Sequence, residues 1–326
     1  MSDMSNIETT PPESSAAAPL IAFETLGVSE PIRRALAEMG FAGAFDVQAA
    51  CIGPIMAGRD VLVQARTGSG KTAAFGIPLA ERVIRASEPR VQALVLAPTR
   101  ELALQVAEEC ARIGRYIGVK VVAIYGGAPM GAQIEAIRGG AQLAVGTPGR
   151  LLDHLRRGTL KLDAVRAVVL DECDEMLSRG FLEDITAILD KLPRERQTLL
   201  FSATLPADIQ RIASRYLRDP SHVNLSRDYV SVDDIHHCFY LITGAARSRT
   251  LLRVLEHEKA EGALIFCNTR DDTVVVADFL TKHGWPAEPI SSDLTQADRE
   301  RVMGMMKTGT LRFLVATDIA ARGIDI

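Results

Sequence analysis

Short apolar runs alternate along the chain with stretches whose apolar residues are spaced as on one face of a helix. The helical spacing occupies segments such as 101–118 and 150–158. Continuous apolar strands that alternate with amphipathic helices are typical of a parallel sheet covered by helices on both faces. The pattern therefore predicts an α/β fold, in which ligands bind beyond the carboxyl ends of the strands. The first six predicted strands are 61–64, 93–98, 120–126, 142–148, 167–172 and 198–204.

A polar stretch at 219–234 interrupts this alternation and indicates a linker. The alternation then resumes, so we predict two α/β domains with mainly parallel sheets, at 20–226 and 241–326, joined by a linker at 227–240. Residues 1–19, which are rich in Ser, Thr, Pro and Ala, are predicted to be disordered. In the second domain the predicted strands are 238–242, 263–269, 286–291 and 312–318, and the predicted helices lie near 271–283 and 295–308.

Composition and charge narrow the functional classes. The 326 residues are 47% hydrophobic and 24% charged, which suits a globular protein with a real core. The net charge of -4 excludes a globally basic nucleic-acid-binding protein, so any nucleic-acid site must be a local patch. The cysteines have no CxxC spacing, so neither a structural metal nor a redox pair is predicted. The sequence shows neither a membrane span nor a secretory signal, and we expect a cytoplasmic protein without a membrane partner.

The segment after the first predicted strand has the pattern of a phosphate-binding loop. Its glycines permit tight turns that point backbone N–H groups at phosphate, and the helix N-terminus that follows favours negative charge. In such a loop Lys71 would reach the β- and γ-phosphates, and the Thr72 hydroxyl would hold Mg²⁺. The alternative is a glycine-rich strand-to-helix turn that contains a lysine by chance. The loop comprises Ala65, Arg66, Thr67, Gly68, Ser69, Gly70, Lys71 and Thr72.

Two carboxylates, Asp171 and Glu172, close the apolar run at 167–170. Carboxylates at the end of a buried strand are costly unless they meet cations. We therefore predict that Asp171 holds Mg²⁺ and that Glu172 polarises an attacking water; the alternative is an acidic cluster that begins a helix. Ser202 and Thr204 end another apolar strand, where such residues most often form a turn or a helix cap.

Two further strand-to-helix connections carry hydroxyl groups and an arginine. Hydroxyls, a guanidinium and helix N-terminal amides suit the oxygens of a phosphodiester backbone. Taken singly, each connection is more often an ordinary loop between a strand and a helix. The residues are Pro98, Thr99 and Arg100 in the first connection and Thr147, Pro148, Gly149 and Arg150 in the second.

Taken together, these motifs resemble those of the DEAD-box ATP-dependent RNA helicases, and most of all the bacterial members. The order of ARTGSGKT, PTREL, GG (126–127), TPGR, DECD and SAT matches the family, and so do IFCNTR (265–270), QADR (296–299) and VATDIAARGID (315–325). The resemblance implies two RecA-like domains that bind ATP, Mg²⁺ and single-stranded RNA across their cleft. It implies ATP-dependent unwinding of short duplexes or remodelling of RNA–protein complexes, through sequence-nonspecific contacts to the RNA backbone. Ribosomal and mRNA-processing complexes are candidate partners.

The resemblance also implies roles for single residues at the nucleotide. It makes Glu172 the catalytic base, with Asp171 and Lys71 as its catalytic neighbours. It makes Gln48 the residue that recognises adenine, which fits a side-chain amide because an amide both donates and accepts. It makes Phe23 a stacking partner for the base, although Phe23 is equally a candidate core residue.

Three further sets of residues follow from the same resemblance. The first couples the state of ATP to strain on RNA, the second faces RNA, and the third approaches the nucleotide from the second domain. The coupling set is Asp174, Ser202 and Thr204. The set that approaches the nucleotide is Gly323 and Asp325. The set that faces RNA is Pro98, Thr99, Arg100, Gly127, Thr147, Pro148, Gly149, Arg150, Asn268, Arg270, Thr317, Asp318 and Arg322.

Some positions depart from the usual family pattern. Ala44 and Phe45 stand where a Pro-Thr pair usually precedes the glutamine. Cys173 stands where most members have alanine in the core motif, a change with which we expect function to be retained. A thiolate at Cys173 would be open to oxidation beside the Mg²⁺ site.

The family's last core motif, which carries arginine fingers, would lie beyond Ile326. We therefore expect a C-terminally truncated second domain, and a chain that binds ATP but hydrolyses it poorly, because an arginine finger is worth ~10³–10⁵ in turnover. The alternative function is that of an ATP- and RNA-binding fragment with little turnover. A DNA helicase of the wider superfamily is a third possibility, against which PTREL, TPGR and Gln48 argue.

Overall fold

The computed structural model describes residues 20–66, 68–84, 87–225, 236, 238–242, 247–291 and 293–317. Its larger sheet has seven parallel strands in the order β3-β4-β2-β5-β6-β1-β7. This sheet confirms the prediction of a parallel α/β fold. The strands are β1 (Val61–Gln64), β2 (Ala93–Leu96), β3 (Val121–Ile124), β4 (Leu143–Gly146), β5 (Ala167–Leu170), β6 (Gln197–Ser202) and β7 (Ser221–Asn224).

Helices cover both faces of the larger sheet, and each face carries its own apolar core. A π-helical turn at Leu79–Val83 continues α3, and a 3₁₀ turn at Arg115–Ile117 follows α4. Because β2, β4 and β5 are buried along their whole length, their sequences are continuously apolar rather than alternating. The helices are α1 (Glu30–Glu38), α2 (Asp46–Met56), α3 (Lys71–Pro78), α4 (Arg100–Ile113), α5 (Met130–Arg138), α6 (Pro148–Arg156), α7 (Cys173–Ser178), α8 (Leu182–Leu189) and α9 (Ala207–Tyr216).

The prediction that the linker begins at residue 219 is wrong, because residues Ser221–Asn224 form strand β7. Its backbone pairs in parallel with β1, and the Ser221 N–H donates to the Asp60 carbonyl over 2.8 Å. The strand was missed because its sequence is polar and its side chains alternate between half-buried and exposed. The buried Asp60 carboxylate anchors this edge, since it accepts from the backbone N–H groups of Thr198 at 2.8 Å and Arg218 at 2.7 Å.

A smaller parallel sheet follows, with strands in the order β8-β10-β9. The predicted strand at 238–242 is wrong, because these described residues pair with no strand and leave Phe239 and Leu241 85% and 89% exposed. The other three predicted strands and both predicted helices are confirmed. The elements are β8 (Ala263–Cys267), β9 (Ala287–Ile290), β10 (Phe313–Thr317), α10 (Arg247–His257), α11 (Arg270–Lys282) and α12 (Gln296–Lys307).

Helices α4 and α12, which belong to different domains, contact each other. Arg299 of α12 forms an ion pair with Glu101 of α4, and both side chains are nearly buried. A cavity of about 380 Å³ lies beside this pair, and Tyr125 lines it. Burial raises the pKa of Tyr125, and the nearby Glu300 carboxylate raises it further. Within the described residues, no helix combines the length and the apolar character that crossing a membrane requires.

Candidate functional site

The loop between β1 and α3 has the backbone of a phosphate-binding loop. Gly68 and Gly70 adopt φ values of +79° and +87°, a conformation that residues with a Cβ rarely adopt. A Cβ on Gly70 would also lie 2.6 Å from Gln48 Nε2, so a larger residue there would displace the Gln48 amide. Helix α3 begins at the next residue, which places its N-terminal amides at the loop. Thr67 lies outside the described residues.

The side chains of Lys71 and Ser69 place polar groups inside this loop. Lys71 is only 6% exposed, and its Nζ donates to the Ala65 carbonyl at 3.3 Å. The Ser69 Oγ is buried and has no hydrogen-bond partner among the described atoms. Thr72 is half-buried at the first turn of α3. An ammonium group and an unsatisfied hydroxyl at a helix N-terminus favour an anion.

Asp171 and Glu172 lie at the end of the central strand β5, where the sequence predicted a pair of carboxylates. Asp171 is 2% exposed, and burial raises its pKa to about 7, against the opposing charge of Lys71. Its Oδ1 has no hydrogen-bond partner in the described part of the chain. Glu172 is nearly buried and adopts a left-handed conformation with φ 50° and ψ 53°. Backbone strain of this kind in a non-glycine residue is typical of functional sites.

These groups fit a magnesium ion and a phosphate chain. A buried carboxylate oxygen without a partner is a hard anionic ligand of the kind that Mg²⁺ prefers. The Thr72 hydroxyl lies one residue beyond Lys71 and could complete the protein's share of the ligands. The buried Lys71 supplies positive charge for phosphate oxygens beside that ion. Asp171 and Thr72 are therefore the residues that would hold Mg²⁺.

Asp174, Ser202 and Thr204 form one hydrogen-bonded group between α7 and β6. The Asp174 Oδ2 accepts from the Thr204 backbone N–H at 2.9 Å and from its hydroxyl at 3.0 Å. The Asp174 N–H donates to Ser202 Oγ at 3.2 Å. Ser202 is also tied to the phosphate-binding loop, because its carbonyl accepts from the Ala65 N–H at 3.0 Å. The three residues named by the resemblance thus lie together, while their coupling role stays a prediction.

Gln48 lies beside the phosphate-binding loop and is fully buried. Its Nε2 donates to the Gly70 carbonyl at 3.2 Å, and its Oε1 accepts from the Phe45 N–H at 3.0 Å. These bonds leave one N–H and one lone pair of the amide for another partner. Phe23 is buried in an apolar cluster, with its ring edge-on to Phe41 at 6.2 Å. The structure therefore shows Phe23 as a core residue, and its contact with a base stays a prediction.

Cys173 is fully buried in the core beneath this site. Burial raises the pKa of its thiol to about 12, with Asp174 adding to the effect. A thiol that stays protonated and out of reach of solvent is inert. Oxidation at Cys173 was predicted only for a thiolate, and the raised pKa of this buried thiol means that the condition is not met.

Three of the residues predicted to face RNA in the first domain, Arg100, Gly127 and Arg150, meet at the loop that follows β3. The exposed Arg100 packs its guanidinium against Gly127, where an added Cβ would lie 2.5 Å from Nη1. Arg150 donates from Nη1 to the Ala128 carbonyl at 3.3 Å. Two arginines from different connections are thus brought to one short loop. Their contact with RNA stays a prediction.

The hydroxyl and proline residues in the same two connections support the helices that follow. Thr99 caps α4, because its Oγ1 accepts from the Leu102 N–H at 3.1 Å. Thr147 is the N-cap residue of α6, and the buried Pro148 occupies its first turn, where a missing N–H does no harm. Pro98, which is buried, and Gly149 complete these connections.

The predicted residues of the second domain are only partly described. Asn268 is exposed after β8, and Arg270 forms an ion pair with Asp293 at 2.6 Å. Thr317 ends β10. The remaining four, Asp318, Arg322, Gly323 and Asp325, lie outside the described residues.

Sequence reasoning missed two features at this edge of the sheet. One is the ion pair between Glu101 and Arg299, which lie in the PTREL and QADR segments and which no sequence pattern pairs with each other. The other is a buried hydrogen-bonded pair, Gln133 and His154. Nothing in the sequence around Gln133 or His154 signals it, because buried and exposed polar residues look alike in a helical pattern.

A phosphate-binding loop and an acidic strand end on a parallel sheet, with a second α/β domain beside them, define a P-loop nucleotide-binding protein. The sequence profile of the DEAD/DEAH box helicases matches residues 45–212, and that of the helicase conserved C-terminal domain matches residues 246–326. The chain belongs to the DEAD/DEAH box helicase family.

Named relatives agree with this family. The chain is 44% identical to the ATP-dependent RNA helicase DeaD of Haemophilus influenzae over 94% of its own length and 50% of the relative. It is 45% identical to the DEAD-box ATP-dependent RNA helicase CshA of Bacillus subtilis over 94% of its length and 62% of the relative. The chain thus spans between half and two thirds of the length of these relatives.

Solved structures agree as well. S. cerevisiae Dbp5 bound to RNA and ADP BeF3 matches with a TM-score of 0.84 and 28% identity, over 94% of this chain and 78% of that one. A DEAD box protein from the hyperthermophile Methanococcus jannaschii matches with a TM-score of 0.61 and 39% identity, over 94% of this chain and 82% of that one.

Proposed function

We propose that the chain is the core of an ATP-dependent RNA helicase, which binds ATP with Mg²⁺ and single-stranded RNA between its two domains and locally unwinds short duplexes or remodels RNA–protein complexes. The observation that carries this proposal is the buried Asp171 oxygen without a hydrogen-bond partner, in the same site as Lys71. A hydrogen bond from the Asp174 N–H to Ser202 Oγ joins this site to the end of β6. ATP and Mg²⁺ would supply the bond to be broken and the cation that offsets its charge.

The chain's own residues supply the remaining chemistry. Lys71 would exchange its contact with the Ala65 carbonyl for phosphate oxygens and so stabilise negative charge. Glu172 would accept a proton from the attacking water, because it directly follows Asp171 at the end of β5 and its charge acts on that carboxylate. Asp174 would report the state of the site to the segment after β6 through Thr204.

The RNA part of the proposal rests on Arg100 and Arg150, which gather at the loop after β3. Guanidinium groups on a common edge suit the phosphates of one strand, and contacts to the backbone need no base sequence. The match to an RNA- and ADP-BeF3-bound helicase, with a TM-score of 0.84 over both domains, supports a domain arrangement in which RNA and nucleotide bind together.

ATP turnover of the 326-residue chain, with and without single-stranded RNA, tests the proposal. We expect RNA to stimulate turnover and Glu172→Gln to reduce it by about 10²-fold or more. Glu183→Gln, which removes an equal charge from an exposed position on α8, should leave turnover unchanged. ATP and RNA binding without turnover would instead support the alternative of a binding segment, and absent ATP binding would contradict the proposal.

A competition experiment separates RNA from DNA as the ligand. Unlabelled RNA should displace a labelled RNA strand at lower concentration than DNA of the same sequence, because only RNA offers 2′-hydroxyl contacts. Equal displacement by both would favour a helicase that acts on either nucleic acid.

A further inference from the structure

Two buried polar side chains, Gln133 and His154, and the half-buried Thr159 form a chain of hydrogen bonds behind the loop that follows β3. The Gln133 Nε2 of α5 donates to the Tyr125 carbonyl at 2.9 Å. The Gln133 Oε1 lies 3.0 Å from His154 Nε2 of α6. The His154 Nδ1 lies 2.9 Å from the Thr159 hydroxyl. Gln133 is nearly buried and His154 is fully buried, so water cannot replace the bond between these two side chains.

The chemistry of the partners sets the direction of each bond. A carbonyl only accepts, so the Gln133 amide nitrogen must face Tyr125 and its oxygen must face His154. His154 Nε2 therefore donates, and Nδ1 of the neutral ring carries no hydrogen. The single Thr159 hydroxyl hydrogen is then shared between Nδ1 and the His154 carbonyl, which lies 3.1 Å from the same oxygen. Burial, and next the charge of Arg150, lower the pKa of His154 and favour this neutral form.

The held carbonyl belongs to Tyr125, the residue immediately before the glycine pair 126–127, and both arginines contact the segment that follows it. Arg100 packs on Gly127, and Arg150 donates to the Ala128 carbonyl. Gln133 thus holds the loop at 125–128 through the Tyr125 carbonyl, and the guanidinium groups of Arg100 and Arg150 both contact this loop. A shift of this loop would move Arg100 and Arg150 together.

We propose that Gln133 and His154 are positioning residues for RNA binding, which hold the 125–128 loop so that Arg100 and Arg150 present their guanidinium groups to one RNA strand. This inference rests on the proposed function. The two residues are buried and cannot touch RNA, and yet we expect their loss to weaken RNA binding more than ATP binding.

A matched pair of buried glutamines tests the proposal. Gln142 is also buried, and its Oε1 accepts from the Lys120 N–H at 2.7 Å, at the opposite end of β3 from Tyr125. Gln133→Leu and Gln142→Leu therefore each remove a buried amide that anchors the same strand. They differ in which end of the strand loses its anchor.

The measurements are the affinity for a fluorescent single-stranded RNA, the affinity for ATP without RNA, and amide hydrogen exchange at residues 125–128. Relative to Gln142→Leu, we expect Gln133→Leu to weaken RNA binding about tenfold, as for the loss of a buried hydrogen bond, and to leave ATP affinity within about twofold. Exchange at 125–128 should rise only in Gln133→Leu. His154→Phe combined with Gln133→Leu should add little to Gln133→Leu alone, because both act through one network.

Each result then decides the proposal. Equal RNA affinities of the two glutamine variants, or equal losses of RNA and ATP affinity in Gln133→Leu, would overturn it while leaving the proposed function intact. A wild-type chain that binds ATP but no RNA would overturn both. If Gln133→Leu does not fold, Gln133→Asn replaces it with the same expectations, since it keeps the amide but is one methylene too short to reach Tyr125.

Discussion

Replacing Phe45 should show how the helix that carries Gln48 begins. Phe45 is the N-cap residue of α2, and its φ of -70° and ψ of 164° are those of a normal N-cap. Half of a capping box is present, because Gln48 Oε1 accepts from the Phe45 N–H. The other half is missing, since a phenyl ring cannot accept a hydrogen bond from the first turn. Phe45→Thr would supply that acceptor. Phe45→Val would not, although valine has nearly the same shape as threonine.

The size of the effect follows from comparing the two variants with each other. Both lose the Phe45 ring, which is 49% exposed and lies edge-on to Phe41 at 6.5 Å. That loss cancels in the comparison, so the difference isolates the hydroxyl. An N-cap hydroxyl is typically worth about 1 kcal/mol, and we expect Phe45→Thr to exceed Phe45→Val in unfolding free energy by that amount.

Urea titration and thermal unfolding of the two purified variants measure this difference. For a domain of this size, about 1 kcal/mol corresponds to a melting temperature higher by about 2 to 4 °C in Phe45→Thr. A difference in unfolding free energy below about 0.3 kcal/mol would refute the reasoning, because it would mean that no N–H of the first turn awaits an acceptor at position 45.

Three further predictions concern buried ionisable groups. Asp171→Asn should stabilise the nucleotide-free chain by about 1 kcal/mol, because it removes a buried charge, and should weaken ATP-Mg binding, as calorimetry and thermal unfolding would show. Burial and Arg150 lower the pKa of His154 in the folded chain. As the pH falls, the His154 imidazole is therefore protonated in the unfolded chain before it is protonated in the folded chain. The contribution of His154 to stability is lost as the pH falls below 6.5. The stability advantage of wild type over His154→Phe should therefore narrow between pH 7.5 and 5.5 in urea titrations, and a constant advantage would contradict this assignment. A thiol reagent should modify the exposed Cys238 rapidly and Cys173 only after unfolding, as peptide mass spectrometry would show.

The parallel sheet could be predicted from the sequence because buried strands such as β5 must be apolar on both faces. The same argument explains the miss at β7. That strand lies at the edge, where the backbone ladder to β1 stabilises it and its side chains need not be apolar. At 238–242 the opposite error occurred, because an apolar run forms a strand only where a partner strand offers a ladder.

The nucleotide part of the site was predictable because its chemistry is local in sequence. Eight consecutive residues specify the phosphate-binding loop, and Asp171 and Glu172 are adjacent. The network behind the 125–128 loop was not predictable, because Gln133 and His154 come from different helices and only the fold buries them against each other. Phe23 shows the same limit, since an aromatic residue in sequence is equally suited to a base and to the core that the structure shows.

The position of β1 in the larger sheet has a consequence for synthesis on the ribosome. Val61 pairs with Leu199 on one side and with Ser221 on the other, so both neighbours of β1 are made long after it. The apolar strand β1 therefore stays unpaired while most of the domain emerges from the ribosome. This order favours late and cooperative folding, and it exposes the unpaired strand to aggregation in the meantime. A nascent chain that ends before β6 would hold the complete phosphate-binding sequence without the sheet that shapes it.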